Sequence, residues 1–111
     1  MNLPVTFRPG ARRDLLEQTL YLVEQASPRM AQRYLDAVRK TCEMLAGQRS
    51  SGRLFATNVE RLKQLRRFPV HRPFQKYLIF YQPDVTGIDV VRILQGAREI
   101  EKILANEEAE E

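Results

Sequence analysis

The sequence predicts an α+β fold: an N-terminal strand, an antiparallel helix hairpin packed on a mostly antiparallel four-stranded sheet, and a short C-terminal helix. Three observations lead there. Two β-branched and aromatic runs, Tyr77-Leu78-Ile79-Phe80-Tyr81 and Ile88-Asp89-Val90-Val91-Arg92-Ile93-Leu94-Gln95, flank Pro83-Asp84-Val85-Thr86-Gly87, which has the composition of a hairpin loop. Two segments with apolar residues at helical spacing adjoin with no real linker, so they must fold back on each other. At 111 residues the chain can build one modest hydrophobic core but not two.

The elements follow in order. Leu3-Pro4-Val5-Thr6-Phe7-Arg8 alternates with period two and reads as a first strand. Pro9-Gly10-Ala11 opens a helix, with proline tolerated in its first turn. Leu15, Leu16, Thr19, Leu20, Leu22, Val23 and Ala26 form its broad apolar face. Ser27-Pro28 starts a second helix: a hydroxyl to accept from free amides, then a residue with φ already set. Met30, Ala31, Tyr34, Leu35, Val38, Cys42, Leu45 and Ala46 continue at helical spacing until Gly47 ends it. Gln48 to Glu60, with Ser50-Ser51-Gly52, reads as the longest loop. Leu62–Val70 is the second strand, in which Pro69 favours an edge or bulge position. Residues 76–82 and 88–95 are the third and fourth strands, and the unbroken Tyr77–Tyr81 run fits a central strand covered on both faces. Residues 97–106 form the last helix, with Ala97, Ile100, Ile103 and Leu104 on one side. Residues 1–106 are read as one domain and 107–111 as an acidic, solvated tail.

Composition narrows the function. A hydrophobic content of 43% with 29% charged residues is that of a water-soluble globular protein. No apolar run approaches the roughly 20 residues of a membrane span, and the N-terminus lacks a signal-peptide layout, which points to the cytoplasm. One cysteine, Cys42, cannot staple the fold and reads as a core residue; with one histidine it cannot make a zinc site, so no metal and no cofactor is expected. The net charge is +4. Between Arg61 and Pro83 lie Arg61, Lys63, Arg66, Arg67, Arg72 and Lys76 with no acidic residue, while glutamates gather at the C-terminal end. Such a surface suits a polyanion or an acidic protein segment, or it is a sheet edge guarded by charge against aggregation. Arg92 lies mid-strand, where an unpaired buried charge is costly. The expectation is a sheet face left open by the chain itself.

These residues resemble the RelE/ParE superfamily of bacterial toxins, and in detail its ParE branch. The resemblance rests on Phe7-Arg8-Pro9 leading to Ala11 and Asp14-Leu15, Ala31 and Tyr34, Ser51-Gly52-Arg53, Leu65-Arg66-Arg67-Phe68-Pro69, Tyr77–Tyr81 and Val91-Arg92-Ile93-Leu94-Gln95-Gly96-Ala97-Arg98-Glu99-Ile100. It spans residues 3–104, with Gln95 where members often have histidine. It implies the toxin of a type II toxin–antitoxin module, of the kind tied to plasmid stabilization. The implied partner is a small, ParD-like antitoxin whose acidic, amphipathic C-terminal segment folds onto the toxin. Operator DNA would be reached only through that antitoxin. ParE-type toxins act on DNA gyrase, whereas RelE-type toxins cut mRNA in the ribosome.

Strand scission of RNA needs a group to take the 2′-hydroxyl proton and another to protonate the leaving oxygen, besides cations for the phosphorane. Arginines supply only the cations. A nuclease reading would use His71 with Arg66, Arg92 and Arg98; an exposed turn is the simpler reading of His71. RelE-type nucleases usually end in a tyrosine or a histidine–tyrosine pair, whereas this chain ends in glutamates. A toxin that acts by binding, with no catalytic residues, is therefore the first expectation. Arg66, Arg67, Arg72, Arg92 and Arg98 are its expected partner-binding residues, able to grip carboxylates or phosphates through paired hydrogen bonds. Alternation sends Arg66 and Arg67 to opposite faces, and Tyr77 and Tyr81 to one shared face as core residues.

Overall fold

A computed structural model describes residues 3–96, 100, 102–104 and 106. Strand β1 (Val5–Phe7) leads into helix α1 (Pro9–Gln25) and helix α2 (Pro28–Gly47). Strand β2 (Arg53–Leu54), a 3-10 turn (Glu60–Leu62), β3 (Arg66–Pro69), β4 (Tyr77–Pro83) and β5 (Ile88–Gln95) follow. Helical residues at 100, 102–104 and 106 come last. The sheet order is β1-β5-β4-β3-β2, with β1 parallel to β5 and the other pairs antiparallel. The fold class is as expected, but the sheet has five strands rather than four. The fifth is β2, hidden inside the expected loop, because two residues carry no readable period. The strand expected over 62–70 is only Arg66–Pro69, since Leu62 closes the 3-10 turn.

The local causes are plain. Ser27 caps α2, its side chain accepting from the Met30 amide at 3.0 Å. Gly47 is the last residue of that helix, and Gln48 follows with φ −137°, so the helix stops without a left-handed residue. β2 pairs only with Arg66 and Arg67, so Pro69 lies past its end and withholds no ladder hydrogen bond on that side. Gly87 is required by close approach: a Cβ there would lie 1.9 Å from the Pro4 carbonyl oxygen, which accepts from the Ile88 amide. That contact sets the register in which β1 joins β5.

The sheet is covered on both faces. On one, Tyr77, Ile79, Tyr81, Ile88, Val90 and Ile93 pack with Tyr34, Val38, Cys42 and Leu45 of α2. On the other, Phe80 and Val91 pack with Leu62, Leu65, Ile100 and Leu104. Each such side chain contributes about 1.5–3 kcal/mol by leaving water. Phe80 opposes Arg92 and Tyr81 opposes Val90, so Val91 is the extra residue of a bulge. The bulge lets β5 aim Val91 at the second core and Arg92 towards α1.

Candidate functional site

Helix α1 does not bury the face its leucines suggest. Its buried residues are Gly10, Ala11, Asp14 and Leu22, while Leu16, Leu20 and Tyr21 are 60%, 52% and 56% exposed. The expected apolar face is thereby corrected: its core register runs Ala11, Asp14, Gln18, Leu22. A carboxylate occupies the centre because β1 is short. Past Val90, β5 has no strand on its β1 side, and α1 lies there instead. Asp14 Oδ2 accepts from the Ile93 amide at 3.0 Å, and Gln18 Nε2 donates to the Ile93 carbonyl at 2.8 Å. Two helix side chains thus do what a neighbouring strand would do for that residue.

The same carboxylate takes the Arg92 guanidinium in a two-point grip, with Nε to Oδ2 at 2.7 Å and Nη2 to Oδ1 at 2.8 Å. Both side chains are largely out of water. The mid-strand arginine therefore does not mark an open sheet face: the chain's own helix supplies its counter-ion. That corrects the expectation that Arg92 waits for a partner. Asp14 drew notice in the sequence only as part of the family motif, although an acid three residues after Ala11 and eight before Leu22 was a visible anomaly in a core register.

Leu16, which α1 turns away from the sheet, borders an apolar trough. One stretch of it, about 700 Å³, lies among Leu3, Val5 and Phe7 of the first strand, Leu15, and the α2 residues Leu35, Val38, Arg39 and Cys42. It continues past Phe7, Leu15 and Leu35 to Arg12, Leu16 and Thr19. The floor is apolar; Arg12 stands at its rim, as do Arg39 and Glu43, which pair with each other at 3.4 Å. Cys42 is buried in this wall, and burial pushes its thiol up to about 12, so it packs rather than reacts.

The other predicted residues lie apart from the trough. Arg66 and Arg67 do split between faces, for Arg66 opposes Tyr81 and Arg67 opposes Phe80. Arg66 Nη1 donates to the carbonyls of Ser50 at 3.2 Å and Gly52 at 2.6 Å. Tyr81 joins it, its hydroxyl donating to the Arg49 carbonyl and accepting from the Gly52 amide, each at 2.8 Å. A Cβ at Gly52 would meet that hydroxyl at 2.5 Å, which accounts for the glycine. Burial raises the Tyr81 pKa, while the Gly52 amide and then Arg66 pull it back. Arg66 and Tyr81 thus anchor the approach to β2, and Arg49 ties that segment to the hairpin loop through the carbonyls of Asp84 and Val85.

Tyr77 is buried against Tyr34, whose hydroxyl donates to Gln18, and burial raises both tyrosine pKa values. His71 and exposed Arg72 lie in the turn after β3, where the His71 amide donates to Thr41 Oγ1. His71 is five residues beyond Arg66, roughly 16 Å along an extended chain. The structure does not bring His71, Arg66 and Arg92 to one point. Arg98 lies outside the described residues. Among the described residues, no three of His, Cys, Asp and Glu come together as metal ligands. Nor is any helix there long and apolar enough to cross a membrane.

No curated protein matches the chain. A solved structure, "Chromosomal ParDE TA system from P. aeruginosa", shares the fold with a TM-score of 0.67. At 14% identity, the match covers 86% of this chain and 97% of that one. The profile of a family described as the ParE toxin of the type II toxin–antitoxin system parDE matches residues 5–100. With nearly the whole described fold inside that match, the chain belongs to the ParE toxin family.

Proposed function

We propose that this protein is the toxin of a type II toxin–antitoxin module, that it inhibits DNA gyrase by binding, and that a cognate antitoxin neutralises it by occupying the apolar trough. The observation that carries the reading is the trough itself, bounded by β1, α1 and α2 in a chain of the ParE family. An amphipathic segment that folds on binding needs a preformed apolar groove, and Arg12 at the rim, with no ion pair among the described residues, favours an acidic one. The gyrase target rests on family membership. It also rests on geometry: Arg92 is engaged with Asp14, and His71 stands far from Arg66 along the chain, which among the described residues leaves no assembled acid–base pair for RNA cleavage.

The test is gyrase supercoiling with the purified chain. Inhibition is expected, and a peptide covering the antitoxin's C-terminal segment should relieve it. Leu16→Asp with Thr19→Asp, both lining the trough, should preserve inhibition and abolish relief. Intact supercoiling together with translation-dependent mRNA cuts that vanish in His71→Ala would instead establish the endoribonuclease reading. Relief that persists in the double variant would move the antitoxin away from the trough.

A further inference from the structure

We infer that the β2–β3 end of the sheet is a binding surface for the phosphodiester backbone of duplex DNA, with Arg53 and Arg67 as its paired contacts. The two arginines are direct cross-strand neighbours. Residues so opposed project from the same face with Cβ atoms about 5 Å apart, and like charges there repel. Arg53 is exposed and Arg67 half-buried. Neither guanidinium has a hydrogen bond or ion pair among the described residues, unlike Arg8, which meets Asp89, or Arg92, which meets Asp14. Two adjacent cations paired with no carboxylate among the described residues are an unfavourable arrangement that one shared oxyanion reverses, because each guanidinium can donate in parallel to it.

The surroundings decide between a nucleic acid and an acidic peptide. From Arg49 to Pro83 the sequence carries eight Lys and Arg residues against one acid, Glu60, and Glu60 is taken by Lys63 at 3.3 Å. The apolar residues behind the pair, Phe80, Leu62 and Leu65, are sealed in the second core. An amphipathic peptide would find only half-buried Phe55 and Val59 there to bury against, whereas a phosphate backbone needs only cations. The aromatic nearest the pair among the described residues, Phe55, is half-buried against Phe80 in the second core rather than standing free to stack an unpaired base, which favours a duplex over a single strand. This surface is separate from the trough, so the inference stands or falls independently of antitoxin binding and gyrase inhibition.

The experiment is fluorescence anisotropy of the whole chain on a labelled DNA duplex, without gyrase or antitoxin, at stepped salt concentrations. Each phosphate contact contributes about 0.9 to the slope of log affinity against log salt, so Arg53→Gln with Arg67→Gln should flatten it by about 1.8. The charge-keeping pair Arg53→Lys with Arg67→Lys should retain most of the slope. Arg33→Gln, an exposed arginine on α2, should change the slope little. Circular dichroism of each variant confirms folding, and removing the like-charge opposition should not lower the melting temperature. The inference is overturned by no binding to duplex, by an equal loss in Arg33→Gln, or by tighter binding to single-stranded RNA or a polyglutamate peptide than to duplex.

Discussion

Helices α1 and α2 lie side by side, are of similar length and each carry an apolar face in sequence, yet they do different work. α2 buries eight of its twenty residues, nearly all apolar, and starts on a side-chain cap. α1 buries four of its seventeen, one of them a carboxylate, and its N-cap Arg8 makes no side-chain cap bond. The difference is one of neighbours. α2 lies across the sheet and finds Tyr77, Ile79 and Phe74 beneath it, so its apolar stripe is core. α1 lies at the unpaired flank of β5, where the demand is for a hydrogen-bonding group at Ile93 and a negative charge at Arg92. Leu16 and Leu20 are therefore released to the surface, Leu16 beside the trough. A helix assigned to satisfy polar groups has its apolar side left over for another molecule.

That contrast can be broken most sharply at Asp14. Asp14→Ala takes the carboxylate from the Arg92 guanidinium and the acceptor from the Ile93 amide, and should lower unfolding free energy by about 3 kcal/mol in urea denaturation. A loss below about 1 kcal/mol would mean water replaces the carboxylate and that α1 is held by its few apolar contacts. In α2, Ser27→Ala should cost about 1 kcal/mol by the same measurement, through the freed Met30 amide.

Acidity probes the α2 core. The Cys42 thiol is held near 12 when folded but ionises from its ordinary 9.0 when unfolded. The folded state therefore binds the proton more tightly, and its contribution is complete below pH 9 and lost as pH rises from there towards 12. Stability should drop by about 1 kcal/mol by pH 10, and Cys42→Ala should flatten that part of the profile while lowering stability at neutral pH. The smallest effect belongs to the leucines of α1. Leu16→Gln and Leu20→Gln should each shift stability by no more than about 0.5 kcal/mol, as for other surface positions. A larger loss would place them in the core and remove the distinction between the helices.

Much of the fold was legible. Ser27-Pro28 announced α2, the Tyr77–Tyr81 run announced a covered central strand, and residues 88–95 are the last strand as read. β2 was not legible, because a two-residue strand exists only by pairing with Arg66 and Arg67. The site was read less well. Arg66 and Arg67 were recognised as basic residues on opposite faces, yet Arg66 serves the backbone of Ser50 and Gly52. Arg53 drew notice only as part of a family motif, since nothing in the sequence tells that it opposes Arg67. Arg92 was rightly singled out as a charge needing a counterpart, but the counterpart lies 78 residues earlier.

By its own periodicity and turn chemistry, the sequence determined the α+β class, the helix hairpin and the hairpin of β4 and β5, because these follow from contacts between residues close along the chain. Tertiary structure decided which apolar stripe became core and which stayed outside, which arginine was neutralised and which left bare. Those outcomes depend on which distant groups β1, by ending at Phe7, leaves for α1 to meet.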